Sequence, residues 1–153
     1  MIEPVVIREA IENYLKNHPR LQSNGEIEYK GKTVEAMEVK KFEGFPFSEW
    51  LVGMVPSLHV YYDTETLGRF STQRRQTGLD LYVSAVTACS TRQKSMDKTA
   101  ALAKIVQRCL EEESCPYRPE VVRIKYDAAR TDDRFLIVGD VSIKILYFET
   151  RDK

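Results

Sequence analysis

The sequence predicts an α+β fold, with an antiparallel or mixed sheet of about four to six strands packed by an N-terminal helix and a central helix. Three observations lead there. Leu79, Leu81, Val83 and Ala85 alternate with Asp80, Tyr82 and Ser84, the period of a strand with one buried face. Val141, Ile143, Ile145 and Tyr147 alternate with Ser142 and Lys144 in the same way. Leu102, Ile105, Val106, Cys109 and Leu110 recur at helical spacing and form a stripe.

At 153 residues the chain is long enough to bury one core without staples, so residues 1–153 are expected to form a single domain. Its 23 basic and 23 acidic residues cancel, which leaves no overall field for a polyanion or an acidic membrane. Specific nucleic acid and membrane are therefore not expected as partners. Cys89, Cys109 and Cys115 form an odd set without CxxC spacing, as suits free thiols in a reducing compartment. No apolar run reaches the length of about 20 residues that spans a bilayer, and residues 1–16 lack a signal-peptide core. A soluble, intracellular protein is expected.

In chain order, Pro4 suits a first helical turn, and Ile7, Ala10, Ile11, Tyr14 and Leu15 make an amphipathic stripe that stops before Pro19. His18 falls in that stop signal and is assigned no chemistry. Residues 26–30 and 33–40 read as a hairpin around Gly31 and Lys32, its Glu and Lys residues forming the solvated face of an edge. Residues 42–55 fit neither period, but they gather Phe42, Phe45, Phe47 and Trp50 around Gly44, Pro46 and Gly53. Such a segment is either a cover for the core or an aromatic anchor for a partner.

Residues 58–62 read as a compact strand with His59 packed inside it, and residues 63–77 as a long polar loop carrying Arg69, Arg74 and Arg75. After the strand at 79–85, a basic connection with Arg92, Lys94 and Lys98 leads into the main helix, with Ser95 as its N-cap. The two basic clusters flank the same strand. Sequence leaves open whether they form one patch or two, and whether they meet partners or only solvent.

Glu111, Glu112 and Glu113 point in different directions and read as a hydrophilic helix end. Residues 121–126 make a strand and 127–133 a polar loop. Residues 135–148 form a long strand region interrupted at Gly139 and Asp140, its end, with Leu146 and Phe148, covered on both sides. Asp127, Asp132 and Asp133 lack calcium-loop spacing. Phosphate loops, nucleophile elbows, paired helical histidines and zinc spacings are absent from the sequence, and Cys89 with His59 is the one nucleophile and base that can be assembled. The expectation is no catalytic residue, no metal, no cofactor and no enzymatic activity.

The order of elements is nevertheless recognisable. An amphipathic N-terminal helix is followed by VPSLHVYYD at 55–63, LDLYVSAVTA at 79–88 and a helix ending RCLEEE at 108–113. The closing strand is VSIKILYF at 141–148. This series resembles the tail terminator and tail-completion proteins of long-tailed bacteriophages, over the first helix and most of the chain from Val55 onward. Residues 26–54 have no counterpart in the resemblance.

The resemblance implies a virion structural protein, assembled in the host cytoplasm, that closes as a hexameric ring on the tail tube at the tail–neck junction. Its partners would be further copies of itself, the tube protein, and a neck or head-completion protein. A closing ring is a heterologous contact and draws on exposed loops and edges more than on a pocket. The expected interface residues are Phe45, Phe47, Trp50, Arg69, Arg74, Arg75, Arg92 and Lys94. The alternative is a nucleic-acid-binding module that uses the basic loops around Arg74 and Arg92, with Phe70 and Tyr82 for stacking.

Overall fold

The computed structural model describes residues 3–21, 27–29, 32–34, 41–43, 57–89, 91–130 and 135–150. Helix α1 (Pro4–Lys16) opens the chain with Pro4 in its first turn and buries Ile7, Ile11 and Leu15, one stripe of the expected pattern. Strands β1 (Ile27–Tyr29) and β2 (Lys32–Val34) form an antiparallel pair in which Tyr29 faces Lys32, so Lys32 opens the second strand and does not sit in the turn. This pair is a sheet of its own and not an edge of the main one.

The main sheet has five strands, in the order β3-β4-β5-β7-β6. Strand β3 (Lys41–Glu43) lies parallel to the start of β4 (Ser57–Leu67). Strands β4, β5 (Arg74–Cys89), β7 (Phe135–Thr150) and β6 (Glu120–Arg130) are mutually antiparallel. Between β5 and β6 runs helix α2 (Arg92–Leu110). Both helices lie on one face of the sheet, where Ile7, Ile11, Leu15, Leu81, Val83, Leu102, Val106, Leu110, Val141 and Ile143 make one buried cluster. A smaller cluster, Val86 and Leu136 with Val138 against them, sits on the opposite face.

Several expectations are corrected. Residues 63–77 are not a loop: β4 runs on to Leu67 and β5 begins at Arg74, so the connection is the tip of a long hairpin. Gly68 donates its N–H to Gln76 at 3.0 Å, and the chain reverses at Thr72 and Gln73, with Ser71 and Arg74 exchanging backbone bonds of 2.7 and 3.3 Å. Thr72 takes φ 61°, the left-handed conformation that such a tight reversal demands. A Cβ on Gly68 would lie 2.4 Å from the Gln76 carbonyl oxygen, so no other residue fits there.

Likewise β6 continues past Asp127 to Arg130, and β7 runs unbroken through Gly139 and Asp140. Gly139 is in the strand because α2 comes close at that point: a Cβ would meet Thr99 Cγ2 at 3.1 Å and Ala103 Cβ at 3.3 Å. Helix α2 starts earlier than expected. Thr91, not Ser95, is the N-cap, its hydroxyl accepting from the Lys94 N–H at 3.3 Å, so Arg92, Lys94 and Lys98 belong to the helix and not to a connection. Ser84, expected to face solvent, is buried.

Candidate assembly interface

At the β4–β5 turn the chemistry of the main sheet differs on its two faces. Because side chains alternate, the cross-strand pairs Thr77–Tyr147 and Arg75–Glu149 continue the helix-covered face, whereas Gly78–Leu146 and Gln76–Phe148 point the other way. On the first face Arg75 is held. Its Nε donates to Glu149 Oε2 at 2.5 Å, Thr77 donates to the same oxygen at 3.0 Å, and its guanidinium stacks 4.7 Å from the Phe70 ring centre. The Arg75 bond, aided by Thr77, holds the Glu149 carboxyl below its ordinary value. Tyr147, 4% exposed, donates to Glu65 at 2.9 Å.

On the second face the end expected to be covered on both sides is open: Leu146 is 57% and Phe148 53% exposed. Arg74, itself exposed, lays its guanidinium 4.3 Å above the Phe148 ring. Lys144 and Leu146 lean over Gly78, whose missing side chain makes room for them. Leu67, on the helix side of the hairpin, is 55% exposed. Two large apolar residues side by side and a third behind them are the kind of cluster that marks a contact surface.

Further in, β4 and the start of α1 frame an open groove of about 420 Å³ lined by Glu3, Pro4, Val5, Tyr62, Asp63, Thr64, Glu65 and Leu79. Its wall is apolar, Val5 and Tyr62 being 47% and 42% exposed, and its described lining carries three carboxylates, with the Arg8 guanidinium against Tyr62. The centre of the sheet face that turns away from α1 and α2 holds a polar network instead. Ser84 donates to Asp140, and the Tyr61 hydroxyl lies 3.0 Å from Ser84 and 3.5 Å from Asp140. Burial, and then the Asp140 charge, raise the Tyr61 pKa and keep the phenol protonated.

The expected interface residues fall into separate places. Phe45, Phe47 and Trp50 lie outside the described residues. Arg69 and Arg74 are exposed at the hairpin tip, and Arg75 beside them is half-buried. Arg92 and Lys94 stand in the first turn of α2, beyond the other end of β5. That strand is 16 residues long, so roughly 50 Å separates the clusters, and they are two patches. Phe70 lies with the first patch, while Tyr82 packs against Tyr61 at 5.4 Å in the middle of the sheet. Cys89 and His59 are also apart: His59 faces Ser84, which puts Cys89 five positions further, roughly 17 Å along the strand. His59 is buried, with Nε2 3.0 Å from the Ser57 hydroxyl.

One cluster has no signal in the sequence. Tyr14 donates to the Cys109 carbonyl at 2.7 Å, and His18 Nε2 meets Glu112 Oε2 at 3.0 Å, so the end of α1 is clamped to the end of α2 across 94 positions of chain. His18, Cys109 and Glu112 each bring one possible ligand atom within 4.8 Å of the others. The hydrogen bonding opposes a metal there. The Arg20 N–H donates to His18 Nδ1 at 3.2 Å, which leaves the proton on Nε2, pointed at Glu112. Burial, and then the Glu112 charge, push the Cys109 thiol up to about 12, away from the thiolate a metal binds.

No family model matches the chain, and no curated protein matches it. Among solved structures it is similar to a chain of the "Virion of native gene transfer agent (GTA) particle", with 14% identity and a TM-score of 0.46 over 92% of this chain and 94% of that one. At that identity and score the likeness by itself assigns neither fold nor role.

Proposed function

We propose that this protein is a structural subunit of a long-tailed phage-type particle, a tail terminator or tail-completion protein. In this reading it closes as a ring on the head-proximal end of the tail tube, in the virion at the tail–neck junction, and catalyses no reaction of its own. The observation that carries the reading is the end of the sheet at the β4–β5 turn, where Leu146 and Phe148 stand exposed beside Arg74 and Leu67 stands exposed on the other face. A subunit that must end one polymer and receive the next component needs contact surfaces on several sides. Exposed apolar residues around a cation supply such a surface, because aromatic and arginine side chains give much of the energy of contacts between proteins. The series of elements that prompted the resemblance is present, with an N-terminal helix, a long hairpin, a central helix and a second hairpin.

The nucleic-acid alternative fits the geometry less well. Its two cation clusters lie at opposite ends of β5, and Arg75 is neutralised by Glu149. Electron microscopy of the purified protein, alone and with its tube protein, tests the assembly reading: rings and capped tubes are expected, and the absence of both refutes it. Binding to DNA that falls steeply as salt rises would favour the alternative.

A further inference from the structure

We propose that copies of this chain dock head to tail, the Leu146–Phe148–Arg74 knob of one copy entering the groove between α1 and β4 of the next. This deepens the assembly reading and rests on it. Two observations make the knob and the groove a matched pair. Each is apolar at its centre: Leu146 and Phe148 in the knob, Val5, Tyr62 and the wall of Pro4 and Leu79 in the groove. Each has a lining in which one sign of charge prevails. At the tip, among the described residues, the face that turns away from α1 and α2 carries beyond Gly78 Arg74 and no acid, its other members being Thr66, Gln76, Leu146, Phe148 and Thr150. The groove is rimmed by Glu3, Asp63 and Glu65. Opposite charges around an apolar centre steer two surfaces together and fix their register.

The placement decides what kind of assembly results. The knob is on the sheet face that turns away from α1 and α2, and the groove lies beside α1 on the face those helices cover. A copy that has inserted its knob therefore still offers an open groove to a third. Such a contact is heterologous and propagates until it closes. The other simple route, joining sheets edge to edge, meets an obstacle. Strand β4, past its pairing with β3 at Ser57–His59, shifts register at Asp63, and the edge strand β6 shifts at Val122; a bulge interrupts the row of backbone groups that another strand would pair with.

Complementary charge reversals test this. Wild type is expected to sediment as a species larger than a dimer and to fall apart as salt rises, since the Debye length shrinks from about 8 Å at 0.15 M to about 3 Å at 1 M. Arg74→Glu alone and Asp63→Lys alone are each expected to sediment as monomers with melting temperatures within about 4 °C of wild type. An equimolar mixture of the two is expected to recover the wild-type species, because position 74 of each copy then meets an opposite charge at position 63 of the next. Glu3→Lys replaces Asp63→Lys should the latter lower the melting temperature beyond that range, and Phe148→Ser removes the apolar centre without touching charge. The proposal is overturned by a wild type that stays monomeric at its highest attainable concentration. It is equally overturned by single variants that assemble as wild type does, or by a mixture that stays monomeric. Capped tubes from a wild type that fails these tests would leave the terminator reading standing, whereas open assemblies of the wild type, with neither rings nor capped tubes, would refute that reading and keep this contact.

Discussion

Gly139→Ala probes the closest approach between helix and sheet. The added Cβ would lie 3.1 Å from Thr99 Cγ2, 3.2 Å from Tyr126 Cε1 and 3.3 Å from Ala103 Cβ, against the roughly 3.5 Å or more of a relaxed carbon contact. All three neighbours must give by a few tenths of an ångström. Thr99 cannot turn away cheaply, for its hydroxyl donates to the Ile137 carbonyl at 3.0 Å and lies 2.6 Å from Thr87 Oγ1, all of it buried. Overpacking of this kind costs about 1–3 kcal/mol. For a chain of this length each kcal/mol lowers the melting temperature by about 2–4 °C.

Thr99→Ser removes the nearest methyl and keeps the hydroxyl bonds, so it should relieve part of the clash while itself losing about 0.8 kcal/mol of burial. Urea unfolding of the wild type, both single variants and the double variant closes the cycle. The expected result is a Gly139→Ala penalty at least about 0.5 kcal/mol smaller in the Thr99→Ser background. An alanine tolerated at no cost in the wild type, or an equal penalty in both backgrounds, would show that helix proximity is not what keeps glycine in this strand.

Arg74→Glu should change stability by no more than an exposed cation–π contact, about 0.5–1 kcal/mol. Arg75→Glu should cost about 1–3 kcal/mol, because it sets a like charge against the partly buried Glu149, and thermal melts distinguish the two. The Cys109 thiol, with its folded value raised to about 12 against about 8.5 unfolded, contributes stability that is fully present below pH ~8.5 and lost as pH rises toward 12. Cys109→Ala should flatten that alkaline limb, and native Cys109 should react slowly with a thiol reagent. Glu112 has the opposite sign: its carboxyl is held low, first by the His18 hydrogen bond, so its contribution is present above the unfolded value of about 4.3 and lost as pH falls through the folded one. The stability gap between wild type and Glu112→Gln should therefore narrow in acid, which urea titrations across that range would detect.

How much was legible in advance depended on whether a residue faces one neighbour layer or none. The stripe of α1, the stripe of α2 and the alternations at 79–85 and 141–147 were readable because each has one buried and one exposed side, and burial of that side is what sets the period. The hairpin tip was misread as a loop for the complementary reason. From Asp63 to Gln76 most side chains on both faces are exposed, so no hydrophobic period marks the strands, which are held by the pairing of β4 with β5 and of β5 with β7 and by the reversal at Thr72. Gly139 and Asp140 were read as an interruption because glycine usually weakens a strand. The approach of Ala103 and Thr99 that requires a glycine there exists only after α2 has packed.

The chain by itself thus determined the class of fold, the helix faces and the buried strand faces, since these follow from the order of apolar and polar residues along short stretches. The tertiary structure alone decided which distant residues meet. It brought Tyr14 and His18 to Glu112, parted Arg74 from Arg92 along one strand, tied Arg75 to Glu149, and left Leu146 and Phe148 bare on one face with an acidic groove on the other. Contacts of that kind are fixed by sheet register and helix placement, which depend on the whole chain folding at once and leave no trace in any local pattern.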